Sequence, residues 1–217
     1  MTLVQKQSKE RFSSTVIEDV QWPPEIAMDL IREKSMVGIA FDEMTVTLYG
    51  AQTFSKDLES AHVIKCACAL LHLGFDDTTA SAMLCHKQIR YTLKPHYQAV
   101  MELAQKTSYD IARLVERSCF IPNLESNREY FLKLEEFATS DCRILAIIGV
   151  DWCQALQVVR LGKSYSYSSD LKLIAEVLPQ IKLNWDRWME NVPSHEKDRI
   201  NTIWNTLFEL AEELEYI

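Results

Sequence analysis

Five glycines in 217 residues, and no alternating apolar–polar runs closed by Asn-Gly or Asp-Gly turns, leave this chain little from which to build a β-sheet. Apolar residues recur instead at helical spacing over almost the whole length. The C-terminal stretch is the clearest case. Ile200, Ile203, Trp204, Leu207, Leu210, Ala211 and Leu214 fall on one face, opposite Glu209, Glu212, Glu213 and Glu215. The pattern predicts an amphipathic helix with a solvated acidic side, and its apolar side is a candidate oligomer face. The fold class expected is all-α, a single domain of eight to ten helices.

Punctuation residues place the elements. Pro23-Pro24 opens a helix over 24–33, and further helices are expected over 37–49 and 58–73, the latter stopped by Gly74. Asp77, Thr78 and Thr79 can cap a helix running to about Arg90. Pro95 starts another helix, and Thr107 or Ser108 caps a segment ending near Arg117. After a loop at Pro122-Asn123, Ser126 and Glu129 have capping-box spacing ahead of Tyr130, Phe131, Leu134 and Phe137. A long apolar helix over 141–160 is expected at the centre, followed by a loop over 162–169 and helices over 170–190 and 194–216. Residues 1–21 have weak periodicity and are expected to form a loose arm ahead of a helical domain over 22–217.

Charge and cysteine usage exclude several classes. A formal net charge of −8 argues against general nucleic-acid binding, which needs a basic footprint. No apolar run approaches a membrane span, the longest, from Ile144 to Val150, being interrupted by Gly149, and the N-terminus lacks the order of a secretory signal. A cytoplasmic location is expected. The six cysteines contain no Cys-x-x-Cys pair, and Cys66 and Cys68 point apart on a helix, so buried free thiols are expected rather than zinc ligands. Trp185, Trp188 and Trp204 fit packing between the last two helices. Ser166, Ser168 and Ser169 have no evident base for nucleophilic chemistry, and the loop over 163–167 fits either a connector or a nucleotide contact.

His62 lies within the helix expected to end at Leu73-Gly74, and an alanine- and leucine-containing segment from Ala80 then ends at Cys85-His86, placing the two histidines 24 residues apart. Downstream, the run from Asp110 to Glu116, the helix pair from Tyr130 to Asp151 and the stretch from Leu171 to Leu183 keep a matching register. Across residues 37–190 this pattern resembles the HD-domain alarmone ((p)ppGpp) hydrolases of the RelA/SpoT type. The resemblance implies an all-α HD-type domain whose metal ligands would stand at His62, at His86 with its following residue, and at Asp151.

The departures concentrate at the site. Lys87 replaces the ligand aspartate, and Arg90 and Tyr91 replace the acidic pair that positions water. Ala155 replaces an asparagine, and Thr53 stands near the place of a substrate-contacting arginine. Metal-assisted hydrolysis needs an ion to make hydroxide and a carboxylate to orient it. Exchanging a ligand carboxylate for an ammonium opposes both. The Lys87 ammonium is expected to fill the ion's space and pair with Asp151, a histidine being the second candidate for that carboxylate. Lys87, Arg90 and Lys94 form either an anion pocket or a solvated basic face. His62 and His86 are either pocket remnants or core histidines, and His72 and His96 are expected at the surface or in structural roles.

The function expected is that of a degenerate HD-domain protein without hydrolase activity, with no cofactor, regulating through a phosphorylated nucleotide or a protein partner. One alternative is an active phosphohydrolase holding manganese or zinc at His62, His86 and Asp151. The other is a structural interaction module or homo-oligomer.

Overall fold

The structure, a computed structural model, describes residues 36–50, 56–90, 94–121, 125–138, 140–162 and 168–217. The expected N-terminal arm, the helix over 24–33, Thr53, Tyr91, the Pro122-Asn123 loop and the loop over 163–167 lie outside these residues.

Nine α-helices and one short 3-10 helix occur among the described residues, with no strand: the fold is all-α. They are α1 (Met36–Gly50), α2 (Lys56–His72), α3 (Asp77–Cys85), the 3-10 helix Gln88–Arg90, α4 (His96–Lys106), α5 (Tyr109–Ser118), α6 (Asn127–Ala138), α7 (Arg143–Arg160), α8 (Ser168–Glu190) and α9 (Ser194–Glu213). None of them is long and apolar enough to cross a membrane.

Local chemistry sets the boundaries. Asp76, one residue ahead of the expected caps, accepts from the Thr79 amide at 2.8 Å and starts α3. Ser108 caps α5 by accepting from the Ile111 amide. The capping box of α6 is formed in both directions. The Ser126 amide donates to Glu129 Oε2 at 2.7 Å, and the Glu129 amide donates to Ser126 Oγ at 3.3 Å. One expectation is corrected: the helix predicted to run to Arg90 stops at Cys85, turns at His86 and Lys87, and resumes as a 3-10 helix. Gly74, at φ 81°, closes α2 in the left-handed region as expected.

Helix α7 is the axis of the molecule. Residues 144–153 are all buried, and α7 touches α2, α3, α5, α6, α8 and α9. Its closest neighbour is α9. A Cβ on Gly149 would meet Ile203 Cγ2 at 2.6 Å, so only glycine permits this approach. The Trp204 indole crosses the seam and donates to the Leu145 carbonyl at 3.1 Å. Trp204 also stacks on Trp185 of α8 (ring centroids 4.9 Å apart) and meets Trp152 edge-on.

Trp188 turns the other way and stacks on Phe131 of α6 at 5.8 Å, so the three indoles do not form one cluster. The apolar face of α9, including Ile200, Trp204, Leu207 and Phe208, is buried within the chain. That corrects its reading as an oligomer face: the stripe is used against α7 and α8.

Candidate functional site

Side chains from four places in the sequence meet beside α7. The middle of α2 supplies His62 and Cys66, one helical turn apart and therefore on one face. The break after α3 supplies His86 and Lys87, the 3-10 helix supplies Arg90, and α7 supplies Asp151. The first turn of α8 adds Asp170, where the positive end of the helix dipole favours a carboxylate.

The structure brings His62, His86 and Asp151 together. His62 Nε2 lies 2.7 Å from Asp151 Oδ1, and His86 Nε2 lies 3.9 Å from Asp151 Oδ2. Lys87 enters the same space, its Nζ 3.3 Å from Asp151 Oδ1 and 3.5 Å from Asp170 Oδ2. Arg90 extends the series with Nη1 2.7 Å from Asp170 Oδ1. Both expected partners of Asp151, the lysine and a histidine, therefore bind it. Negative and positive groups alternate from the core outward: Asp151, Lys87, Asp170, Arg90. The Lys87 side chain is only 4% exposed and Arg90 11% exposed, so this cluster is interior.

Lys94 stands elsewhere. Its side chain is 53% exposed and pairs with Glu102 at 2.5 Å, so it does not join the other two cations. The 3-10 geometry explains why Lys87 and Arg90 nevertheless act together. With three residues per turn, positions i and i+3 eclipse, and both side chains reach Asp170.

Protonation states follow from the contacts. Burial pushes the His86 imidazole down to about 4, and Lys87 and His62 add to this against the opposing pull of Asp151 and Asp170. His86 is thus neutral near pH 7. The Ser118 hydroxyl donates to the Leu114 carbonyl at 2.7 Å, so it accepts from His86 Nδ1–H at 3.0 Å and leaves Nε2 as an acceptor. Tyr130 completes this support by donating from its phenol to the Ser118 carbonyl at 2.6 Å. Burial alone raises the Asp151 carboxyl, yet Lys87, the His62 hydrogen bond and the two imidazoles outweigh it and hold the group well below the usual carboxylate range.

Two donor sets bear on a metal. The set implied by the resemblance, His62, His86 and Asp151, does not fit an ion while Lys87 stands 3.3 Å from the shared carboxylate. A dication there would face an ammonium with no water between them. The second set is His62, Cys66 and Asp151, whose donor atoms lie within 4.8 Å of one another. Cys66 Sγ is 3.8 Å from His62 Nε2. Burial and then Asp151 push its thiol well above the ordinary cysteine range, which disfavours the thiolate a metal requires. The cavity at His86, Lys87, Arg90 and Asp170 is about 10 Å³, room for about one water and no nucleotide.

Sequence reasoning missed Cys66, Ser118, Tyr130 and Asp170. For Asp170 a signal existed, an acidic residue at the start of an expected helix. For Cys66 it was the i, i+4 spacing from His62. All six cysteines are free thiols and only Cys142 is not fully buried, as their apolar settings predicted.

No protein-family model, no curated protein and no solved structure matches this chain.

Proposed function

We propose that this chain is a degenerate HD-type domain that does not hydrolyse nucleotides and works as a binding regulator, with Lys87 as a resident cation where a divalent metal would otherwise stand. One observation carries the reading: Lys87 Nζ lies between Asp151 and Asp170, at 3.3 and 3.5 Å. An ammonium in contact with a carboxylate competes, by charge and by volume, with any ion that needs the same oxygen. The residues at the water-positioning places, Arg90 and Tyr91, carry no carboxylate to act as base.

The small cavity favours recognition away from Lys87 and Arg90. Regulation through a protein partner, or through a ligand held elsewhere, suits a closed cluster better than a phosphorylated nucleotide seated inside it. Protein purified without chelator should carry far less than one equivalent of zinc or manganese. It should not turn over guanosine polyphosphates with added Mn²⁺, and its melting temperature should not move with EDTA. A nucleotide that stabilises the chain in EDTA, by the ~2.7 kcal/mol expected at a hundredfold excess over Kd, and fails to do so in Arg90→Ala would return the ligand to this cluster.

A second reading has its own observation. The donor atoms of His62, Cys66 and Asp151 lie close enough to hold one ion, and a zinc or manganese phosphohydrolase built on them would have to displace the proton that burial keeps on the Cys66 thiol. Near-stoichiometric metal, with turnover lost in both His62→Ala and Cys66→Ser, would establish it in place of the first.

A further inference from the structure

A cavity of about 350 Å³ lies away from the charged cluster, between the start of α4, the end of α5 and the middle of α6. It is within the size range of small-molecule sites and far larger than the space beside Lys87. Its charges are unevenly spent. Glu116 faces His96 Nε2 at 3.6 Å, while Glu125 accepts from Lys133 at 2.8 Å and from the Ile121 amide at 2.9 Å. Both acids are therefore committed.

Arg117 is not committed. Its guanidinium lies over the Phe137 ring, 4.4 Å from the centroid, and makes no hydrogen bond or ion pair among the described residues. Stacking on an aromatic face holds the plane of an arginine while leaving its N–H fork to bind in that plane. His96 borders the same cavity, with its Nε2 turned toward Glu116. His96 is also the first residue of α4, an eleven-residue helix whose N-cap, Pro95, makes no side-chain cap bond. The positive end of that helix adds to the preference for an anion. Ile121 and Phe137 provide apolar wall.

We propose that this cavity is a binding site for a small organic monocarboxylate with an apolar or aromatic body, its carboxylate held by the Arg117 fork and its body against Phe137 and Ile121. A planar carboxylate matches the guanidinium two bonds to two. A dianionic phosphate suits the site less, because a single cation is unspent and Glu116 and Glu125 border the same space. The site stands apart from the HD-type reading and does not depend on it. Helix α5 links the two regions, presenting Arg117 to the cavity and the adjacent Ser118 to His86.

The test follows the Arg117 Nε–H resonance in ¹⁵N-labelled full chain, assigned by its loss in Arg117→Lys, during titration with benzoate. Benzamide serves as the neutral isostere and inorganic phosphate as the second anion. Saturable shifts in the ~1 mM range are expected for so small a fragment. Benzamide and phosphate should each bind at least tenfold more weakly. Arg117→Gln, checked for an unchanged melting temperature, should weaken benzoate at least tenfold, and Arg117→Lys should fall between. Equal binding of benzoate and benzamide, tighter binding of phosphate, no saturable shift, or benzoate binding indifferent to Arg117→Gln would each overturn the proposal.

Discussion

Helix α7 holds two buried neighbourhoods that could hardly differ more. Toward α9 it offers Gly149, Trp152 and Cys153 to an apolar seam closed by Ile203 and Trp204. Toward α2 and the break after α3 it offers Asp151 to a cluster of two histidines, a lysine and, beyond them, Asp170 and Arg90. The seam is held by shape and by area removed from water, contributing roughly 25 cal/mol per Å². The cluster is held by matched charge, and burying charges is unfavourable unless each is paired. A fold of this size has no need of the second kind of contact when the first would serve. The difference is why the cluster, and not the seam, is the candidate site.

The largest expected effect breaks the cluster. Lys87→Met removes one cation and leaves Asp151 with reduced compensation in the interior, and such a loss costs about 3–5 kcal/mol. Urea unfolding measures it, and Lys87→Met combined with Asp151→Asn should recover part of the loss. If Lys87→Met is neutral, the ion pairing described here is not what holds the region.

Acid should separate the two neighbourhoods next. An unfolded histidine binds a proton near 6.5, whereas the buried His86 resists until about 4. The unfolded state therefore binds more protons between these values, and stability falls as pH is lowered from 6.5 to 4, by up to about 3 kcal/mol. His86→Gln should flatten that part of the stability–pH curve. Asp151 acts lower still: its stabilising ionised form is complete above the unfolded carboxylate range and is lost only under more acidic conditions.

The smallest expected effect sharpens the contrast. Gly149→Ala drives a methyl into Ile203 and should cost about 1–3 kcal/mol as overpacking, offset in part by the better helix propensity of alanine. Measured at pH 7 and pH 5, that cost should be the same, because the atoms nearest the added methyl belong to Ile203 and Trp204, which do not titrate. A pH-dependent cost would mean that the seam and the cluster are coupled through α7.

The two neighbourhoods also differ in how far they could be read beforehand. The seam was legible because periodicity reports burial: the stripe from Ile200 to Leu210 and the run from Ile144 to Val150 are buried as their spacing predicts. What the stripe faces was not legible, since a helix face carries no address. The same apolar side suits a neighbouring helix or a second copy, and here α7 takes it. Trp188 likewise meets Phe131 rather than its sequence neighbours' partners.

In the cluster, His62, Lys87 and Asp151 were found through register over several helices. Asp170 was not, because its role depends on a break at His86 that no proline or glycine marks. Lys94 shows the converse limit: closeness in sequence to Lys87 and Arg90 suggested one patch, whereas its side chain is exposed and paired with Glu102.

On the function proposed above, Lys87 does the work of an ion. Lys87→Asp tests it most directly, with melting temperature followed in EDTA and in Mn²⁺ or Zn²⁺, alongside metal analysis of both proteins. The unaltered chain should be metal-free and indifferent to cation, and the variant should be destabilised in EDTA and recover when a divalent cation binds. Near-stoichiometric metal in the unaltered chain, or a Lys87→Asp variant that never responds to cation, would contradict it.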